Sequence, residues 1–198
     1  MNYLYYGIFG VGILSLALIL SKGAKGVEDD NRNDVIPEND YENNGYYMSN
    51  GNLYIKKKNL AEIIEDIYDD YSDRYIDFDK ELIMAICWQE SSFHVNAEGD
   101  NGNSKGLMQI SETAFDQVKK VYYSDTYGIR YSDIKDVRTN LKIGILYLHW
   151  IYNTGWVDYQ DWAKLYAIYN GGYDYPDISY TRGLEVKQKY GILKRGGY

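Results

Sequence analysis

An apolar run that ends on a carboxylate constrains this chain more than any other feature. Residues 82–91 read Leu-Ile-Met-Ala-Ile-Cys-Trp-Gln-Glu-Ser, and a helix that is apolar nearly all round belongs in the middle of a fold. At about 100° per residue, Ile83, Ile86 and Cys87 would flank the direction in which Glu90 points. A carboxylate facing an apolar stripe is unfavourable unless it is paired or protonated. Glu90 is therefore a candidate general acid near neutral pH, the alternative being a helix-end Glu that turns to solvent or pairs with a lysine.

The charge, cysteine and histidine content argue against several classes of function. The 198 residues carry a formal charge of −8, which argues against a nucleic-acid partner. The single cysteine, Cys87, permits no intramolecular disulfide and is typical of a small core residue. The two histidines, His94 and His149, lack the spacing of zinc ligands. We therefore predict no metal site and no cofactor.

The amino-terminal segment, residues 1–21, contains no charged side chain. Its length is close to the about 20 residues that span a bilayer, and three tyrosines near its start suit a membrane interface. A cleaved signal peptide is the alternative, but it would need a basic start and a small-residue cleavage site, and neither is clear. We predict a single-pass transmembrane anchor. Lys22 and Lys25 follow it and would favour the cytoplasmic side for the rest of the chain, so the sequence leaves the orientation open.

Residues 22–52 are predicted to be a flexible acidic linker. The stretch is rich in Asn, Asp, Glu and Gly and lacks helical periodicity, a composition that favours disorder. Such a linker would tether the remaining residues, 53–198, to the membrane. Their length and apolar content predict one globular domain.

The fold class is predicted to be mainly α. Asp77 or Asp79 can cap the helix that contains Glu90, and Ser111 can cap the helix after it. Between these two helices, residues 98–106 are rich in Gly and Asn and predict a loop or small hairpin. Apolar residues at helical spacing predict helices near residues 60–71, 82–91, 111–118, 140–148, 158–169 and 183–190.

Three short segments contain the residues with the clearest functional signal. Glu90-Ser91 ends the central helix, residues 106–110 (Gly-Leu-Met-Gln-Ile) follow the glycine-rich loop, and residues 167–172 (Ala-Ile-Tyr-Asn-Gly-Gly) end a later helix. In this order and spacing they resemble the catalytic domain of the soluble lytic transglycosylase family, which is related to goose-type lysozyme. The resemblance covers roughly residues 79–190. It implies a lysozyme-like fold and an enzyme that cleaves peptidoglycan.

The resemblance implies a catalytic role for one residue and supporting roles for two others. Glu90 would be the sole catalytic acid and base. Ser91 would hydrogen-bond to its carboxyl group and orient it, and Tyr169 would lie over that group. Ser91 could instead be a plain helix end, and Tyr169 could be a packing residue.

The resemblance also implies a substrate-binding role for three residues. Met108 and Gln109 would line the sugar cleft, with Gln109 holding an N-acetyl or hydroxyl group of the substrate. Asn170 would fix the cleft wall. For Met108 the structural alternative is a core residue.

The number of carboxylates in the site would decide the reaction. With Glu90 alone, the enzyme would protonate the β-1,4 bond between N-acetylmuramic acid and N-acetylglucosamine. The muramyl 6-hydroxyl would then attack its own anomeric carbon and give a 1,6-anhydro product. A hydrolase usually needs a second carboxylate, and Asp100 in the loop is a candidate, so a muramidase is an alternative. A non-catalytic wall-binding module is the alternative from another class.

The anchor, the linker and the domain together predict a membrane-bound protein whose catalytic domain faces the cell wall. An enzyme tethered in this way would open the wall locally, for a secretion apparatus or for a bacteriophage that carries it on its virion. The Tyr- and Asn-rich composition and the lack of a clear export signal favour the bacteriophage.

Overall fold

Helices build most of the structure. It is a computed structural model that describes residues 45–71, 78–158 and 160–196. The prediction of a mainly α fold is confirmed. The helices are α1 (Lys57–Tyr71), α2 (Lys80–Ser91), α3 (Glu112–Val121), α4 (Val137–Asn153), α5 (Trp162–Gly171) and α6 (Asp177–Gly196). The strands are β1 (Tyr46–Ser49), β2 (Asn52–Ile55), β3 (Glu98–Gly99), β4 (Ser104–Lys105) and β5 (Ile110–Ser111).

Helix α2 lies at the centre, as its apolar run predicts. The side chains from Leu82 to Cys87 are all fully buried, so this helix is covered on every side over its middle. Helices α1 and α6 both pack against it. Burying a large aliphatic side chain is worth about 1.5–3 kcal/mol, so this run supplies much of the driving force for folding. Charged and polar residues come only at the two ends of α2: Lys80 and Glu81 in its first turn, and Gln89, Glu90 and Ser91 in its last.

The hairpin β1–β2 corrects the predicted boundary of the linker. The two strands pair antiparallel around Asn50 and Gly51, whose φ angles are +49° and +76°. An Asn-Gly pair with two positive φ angles is the usual two-residue hairpin turn. The hairpin continues onto the chain after α2, where the Val95 amide donates to the carbonyl of Leu53 at 2.8 Å. Residues 46–52 therefore belong to the folded part, and the prediction that they are disordered linker was wrong.

A small three-stranded sheet forms in the glycine-rich region, which confirms the predicted loop or hairpin there. Strand β4 lies between β3 and β5, and both pairings are antiparallel. The buried side chain of Asn140, on α4, holds this region in place. Its amide group donates to the carbonyls of Lys105 and Ile134, at 2.9 and 3.0 Å. Its oxygen accepts from the Met108 backbone amide at 2.8 Å, so one side chain joins the sheet to α4.

Helix α6 is longer than its sequence pattern predicts and closes the fold against α5 and α2. At Gly183 it approaches α5 so closely that an added Cβ would lie 2.1 Å from the Ala163 carbonyl oxygen. Near its carboxyl end, Tyr190 and Lys194 both reach the carboxylate of Asp79. Asp79 is the N-cap residue of α2, but its carboxylate makes no cap hydrogen bond, because it is used in this contact instead. Ser111 does cap α3, accepting from the Ala114 amide at 3.2 Å.

The predicted transmembrane anchor, residues 1–21, and most of the predicted linker lie outside the described residues. Among the helices of residues 45–71, 78–158 and 160–196, none is both long and apolar enough to cross a bilayer. The anchor therefore stays a prediction.

Candidate active site

Glu90 lies in the last turn of α2, where the fully buried run gives way to partly buried residues. Its carboxyl group is held by α5, because the hydroxyl of Tyr166 donates to Glu90 Oε1 at 2.7 Å. Tyr166 is itself 1% exposed. One oxygen of the carboxyl group is thus bonded to a buried phenol, as expected for Glu90 on the apolar side of α2.

Burial raises the pKa of the Glu90 carboxyl from 4.5 to about 7. The hydrogen bond from Tyr166 and the charges of Arg182 and Lys189 act in the opposite direction, while the charge of Asp100 adds to the rise. Desolvation is the largest of these causes and decides the direction. A carboxyl group with a pKa near 7 is half protonated at neutral pH, and it can both donate and accept a proton there.

Tyr169 lies beside Tyr166 one helical turn further along α5. The two rings stack with centroids 6.1 Å apart. The Tyr169 hydroxyl does not donate to Glu90 but to the carbonyl of Met108, at 2.5 Å. Tyr169 therefore ties α5 to the segment after the small sheet. The hydrogen bond to the Glu90 carboxyl group comes from Tyr166, and the position predicted for Tyr169 over that group stays a prediction.

Met108 does not line an open cleft in this structure. Its side chain is fully buried and lies against Gly144 of α4, where an added Cβ would be 2.2 Å from its sulfur. The structural alternative, a core residue, describes its side chain. The Met108 backbone is what reaches the site, since its carbonyl accepts from Tyr169 and its amide donates to Asn140.

The side chain of Gln109 braces the glycine-rich loop from inside. Its amide nitrogen donates to the carbonyls of Ala97 at 3.1 Å and Gly106 at 2.9 Å. Its amide oxygen sits so close to Gly99 that an added Cβ there would be 2.3 Å away. Gln109 also has a φ of +47°, an unfavourable angle for a residue with a side chain. Local strain of this kind is common at functional sites, where the surrounding structure must hold it in place.

Ser91 and Asn170 have partners of their own. The Ser91 hydroxyl donates to the Cys87 carbonyl on its own helix at 2.9 Å, a contact that does not reach the Glu90 carboxyl group. The Asn170 oxygen accepts from the hydroxyl of Ser179 at 3.0 Å, which fixes the end of α5 to α6. Arg182 also approaches this oxygen, at 3.5 Å. The role predicted for Ser91 in orienting the Glu90 carboxyl group and that predicted for Asn170 in fixing the cleft wall stay predictions.

Asp100, the candidate second carboxylate, is exposed in the turn after β3. Its Oδ2 accepts from the hydroxyl of Ser104 at 2.9 Å. Its negative charge raises the pKa of Glu90, so the two carboxyl groups lie within electrostatic range of each other. Asp100 and Asn101 have φ angles of +49° and +58°, so with Gln109 this region contains three strained positions.

Helix α6 contributes charged groups that sequence reasoning did not assign to the site. Arg182 and Lys189 both act on the carboxyl group of Glu90 through their positive charge. Gln89, next to Glu90, donates to Glu185 at 2.9 Å and accepts from Lys189, so its side chain fixes this face of α6 beside the site.

Tyr166 is the site residue that the sequence analysis missed. Its buried ring belongs to the apolar pattern that predicts the helix near residues 158–169, which hides its second role. Its spacing held a usable signal, because Tyr166 precedes Tyr169 by three residues and so lies on the same helix face.

Among the described residues, no group of three or more His, Cys, Asp or Glu side chains is arranged to hold a metal ion.

The geometry defines a class of site: a single desolvated carboxyl group at a helix end, held by a tyrosine and bordered by a strained glycine-rich loop. A family model described as the transglycosylase SLT domain matches residues 71–175, just over half of the chain. The chain belongs to this family. The family predicted from the Glu-Ser, Gly-Leu-Met-Gln-Ile and Tyr-Asn segments is thereby confirmed, and all three segments lie within the matched residues.

Two curated relatives are similar over part of the chain. Membrane-bound lytic murein transglycosylase F of Mannheimia succiniciproducens is 29% identical over 102 residues, which are 50% of this chain and 19% of that protein. The X polypeptide of Escherichia coli is 34% identical over 83 residues, which are 40% of this chain and 46% of that protein. The matched residues thus span less than half the length of either relative.

Two solved structures also align with this chain. The 70-kDa soluble lytic transglycosylase of Escherichia coli aligns with a TM-score of 0.47 and 21% identity, over 66% of this chain and 22% of that one. A complex of the 70-kDa soluble lytic transglycosylase with bulgecin A aligns with a TM-score of 0.47 and 20% identity, over 69% of this chain and 24% of that one.

Proposed function

We propose that this protein is a peptidoglycan lytic transglycosylase that cleaves the β-1,4 bond between N-acetylmuramic acid and N-acetylglucosamine. The observation that carries the proposal is the Glu90 carboxyl group, desolvated, with a pKa of about 7 and hydrogen-bonded to the buried Tyr166. Membership of the transglycosylase SLT domain family supports the same reading.

In the first step Glu90 acts as the acid. Tyr166 holds one carboxyl oxygen, so the other is free to carry the proton to the glycosidic oxygen. The bond from that oxygen to the muramyl anomeric carbon breaks, and the N-acetylglucosamine side leaves with the proton. Because the carboxyl group is half protonated near pH 7, this step needs no acidic medium.

In the second step Glu90, now a carboxylate, acts as the base. It takes the proton from the muramyl 6-hydroxyl while that oxygen bonds to the anomeric carbon of the same sugar. The product is a 1,6-anhydro ring, the carboxyl group is protonated again, and no water is consumed. An attacking group on the substrate itself gains from proximity, so one carboxyl group is enough.

Digestion of purified peptidoglycan tests the reaction. Mass spectrometry of the products is expected to find 1,6-anhydro-muramyl ends. The Glu90→Gln variant is expected to lose activity by a factor of about 10² to 10⁴, since it keeps the shape of the site but has no proton to transfer. A wild-type protein that clears peptidoglycan no faster than this variant would instead be a wall-binding module.

Hydrolysis is the second candidate reaction, and the position of Asp100 is the observation that favours it. Its exposed carboxylate lies within electrostatic range of Glu90, where it could activate a water molecule. A muramidase would give reducing ends in place of anhydro ends. Asp100→Asn would abolish a hydrolytic product but leave an anhydro product, so one variant and one product analysis separate the two reactions.

We further propose that residues 1–21 anchor the protein in a membrane with the catalytic domain facing the cell wall. The uncharged run of these residues supports the anchor, and one of the relatives is named as membrane-bound. Fractionation of cells that express the full chain or a chain without residues 1–21 tests it: only the full chain should sediment with membranes. Protease added outside intact cells or virions should digest the domain if it faces the cell wall. Whether the full chain is found in purified virions or in bacterial cells would distinguish a bacteriophage enzyme from one that serves a secretion apparatus.

A further inference from the structure

A row of aromatic rings leads from the candidate active site to the protein surface. It begins at Tyr166, the residue that holds Glu90, and passes from α5 to α4 and then to the turns that follow each helix. The successive pairs have ring centroids 5.3 to 6.1 Å apart. In order, the rings are those of Tyr166, Tyr169, Tyr147, Trp150, Tyr173 and Trp156.

The two ends of this row differ in exposure. Tyr166 is 1% exposed, and the next four rings belong to partly buried residues. Trp156, at the far end, is 59% exposed. A single exposed ring is common on protein surfaces, but Trp156 is packed against Tyr173, which in turn contacts Trp150, so these rings form a contiguous aromatic patch, which is the informative observation.

Two turns bring the outer rings together. Trp156 lies just after α4 ends at Asn153, and Tyr173 lies just after α5 ends at Gly171. Between α5 and Tyr173, Gly172 has a φ of +77°, an angle that turns the chain sharply and suits glycine. As a result the Tyr173 ring contacts both Trp150 and Trp156, at 6.0 and 5.3 Å.

Exposed aromatic faces bind flat apolar surfaces that are rimmed by polar groups. Each sugar ring of a glycan strand has such a surface, because its axial C–H bonds form an apolar face while its hydroxyl and N-acetyl groups lie around the edge. Packing this face on an aromatic ring buries apolar area without removing the polar edge from water. Tyr173 follows the end of α5, the helix that carries Tyr166 and Tyr169, so the outer rings lie just beyond the helix that holds Glu90.

We propose that Trp150, Tyr173 and Trp156 form a glycan-binding platform that holds the peptidoglycan strand several sugars away from the bond that is cleaved. This inference rests on the proposed function for the identity of the strand. The platform makes the protein favour long glycans over short ones, since only a long strand reaches from Glu90 to Trp156.

Glycan binding in a protein that cannot cleave tests the platform separately from catalysis. The background is the full chain with Glu90→Gln, and the probes are chitin oligosaccharides of two sugars and of six or more. Trp156→Ala is expected to weaken binding of the long oligosaccharide about three- to tenfold, the equivalent of one stacked ring, and to leave the short one unchanged. Trp156→Phe, which keeps a ring, is expected to restore most of the affinity.

Tyr127→Ala supplies the matched control. Tyr127 is 75% exposed, and its ring contacts Tyr123 rather than any ring of the row. Its removal should leave the affinity for both oligosaccharides unchanged. Circular dichroism should show that each variant is folded, as expected for changes at exposed positions.

Three outcomes would overturn the platform. One is an equal affinity of the Trp156→Ala and unchanged proteins for long oligosaccharides. Another is the absence of any long-oligosaccharide binding in the Glu90→Gln background. The third is a loss of self-association in Trp156→Ala by light scattering with no change in glycan binding, because Trp156 would then contact a second copy of the chain. Turnover of peptidoglycan by the wild type is measured separately, so inactivity there would remove the proposed reaction while leaving the binding result intact.

Discussion

Glu90 combines two properties that oppose each other in a folded protein. Its carboxyl group is desolvated, which suits proton transfer, but a desolvated carboxylate destabilises the fold once it is charged. Tyr166 offsets part of this penalty by donating a hydrogen bond at 2.7 Å. The remaining penalty should be measurable in the stability of the protein, independently of any substrate.

The stability contribution of Glu90 should fall as the pH rises from about 4.5 to about 7. In this window the folded state keeps a proton that the unfolded state has lost, because the pKa of Glu90 is raised from 4.5 to about 7 on folding. The wild type should therefore lose up to about 3 kcal/mol of unfolding free energy across the window relative to Glu90→Gln. Urea denaturation of both proteins at pH 4.5 and pH 8 measures the difference, and parallel pH profiles would contradict it.

Tyr166→Phe should change the pH dependence of catalysis. The hydrogen bond from Tyr166 lowers the pKa of Glu90, so its removal should shift the alkaline limb of the kcat profile to higher pH. At the optimum kcat should fall several-fold, about the effect of one lost hydrogen bond to a charged group, because the carboxyl group is no longer oriented.

Tyr169→Phe is the control for this shift. It removes a hydroxyl that donates to the Met108 carbonyl rather than to Glu90. The alkaline limb should therefore stay where the wild type has it. A Tyr166→Phe profile that coincides with this control would show that the phenol of Tyr166 does not act on the acid.

At the scale of single residues, sequence reasoning predicted where Glu90 lies but not the residues around it. Glu90 could be predicted because the apolar run of α2 and helical geometry together place it at the edge of the core. The hydrogen-bond partners of Ser91 and Gln109 could not be predicted, because several backbone groups lie within reach of each hydroxyl or amide. Tyr166 was missed because a buried tyrosine in an apolar helix looks like packing until its hydroxyl is seen to reach Glu90.

Among the elements, the small sheet depends on a close contact between Gly106 and Asn140. Gly106 has a φ of +77°, and an added Cβ would lie 2.2 Å from the Asn140 amide nitrogen. Gly102, in the same region, also has a positive φ, +88°, but nothing lies within 4 Å of its added Cβ. Substitutions at these two positions can therefore distinguish the effect of backbone strain, which both share, from the effect of the contact with α4, which only Gly106 makes.

Gly106→Ala should destabilise the protein more than Gly102→Ala. Both changes introduce backbone strain of about 1–2 kcal/mol, but only the first displaces the buried side chain that joins the sheet to α4. We expect a loss of about 2–4 kcal/mol for Gly106→Ala, measured by urea denaturation. Equal losses would mean that the Asn140 contact contributes little.

The helices were predictable because their apolar spacing is strong, whereas their ends and the hairpin were not. Helix α6 begins at Asp177, six residues before its predicted start, because the exposed residues of its first turns show no apolar periodicity. The hairpin β1–β2 was hidden by the composition around it. Asn50-Gly51 was counted with the other Asn and Gly residues of the linker, although the flanking Tyr, Met and Leu residues suit strands.

For the molecule as a whole, the hairpin moves the boundary of the folded domain toward the amino terminus. Its second strand contributes Ile55, which is 1% exposed, and its backbone bonds to the chain after α2. Strand β2 is paired with β1 along one edge and bonded to residues 93–95 along the other. Because a two-stranded pairing is marginal by itself, loss of β1 should weaken β2.

Truncation tests this boundary. A chain that starts at Gly45 should unfold at the same temperature as the full chain lacking only its anchor. A chain that starts at Leu53, the boundary predicted from sequence, should lose about 1–3 kcal/mol and unfold several degrees lower, because β2 has lost its partner. Thermal unfolding followed by circular dichroism measures the midpoints of both truncated chains. Identical midpoints would place the start of the folded domain at Leu53, as the sequence predicts.

Helix α6 places Arg182 and Lys189 where their charges lower the pKa of an acid that sits on a different helix. Arg182 is exposed, and the hydrophobic core does not depend on it. The working pH range of such an enzyme can therefore be adapted separately from its fold. A neutral residue in place of Arg182 would raise the pKa of Glu90 and favour activity in alkaline surroundings, and additional basic residues would lower it and favour activity in acidic surroundings. Natural variation and protein engineering therefore have the same simple means of adjustment.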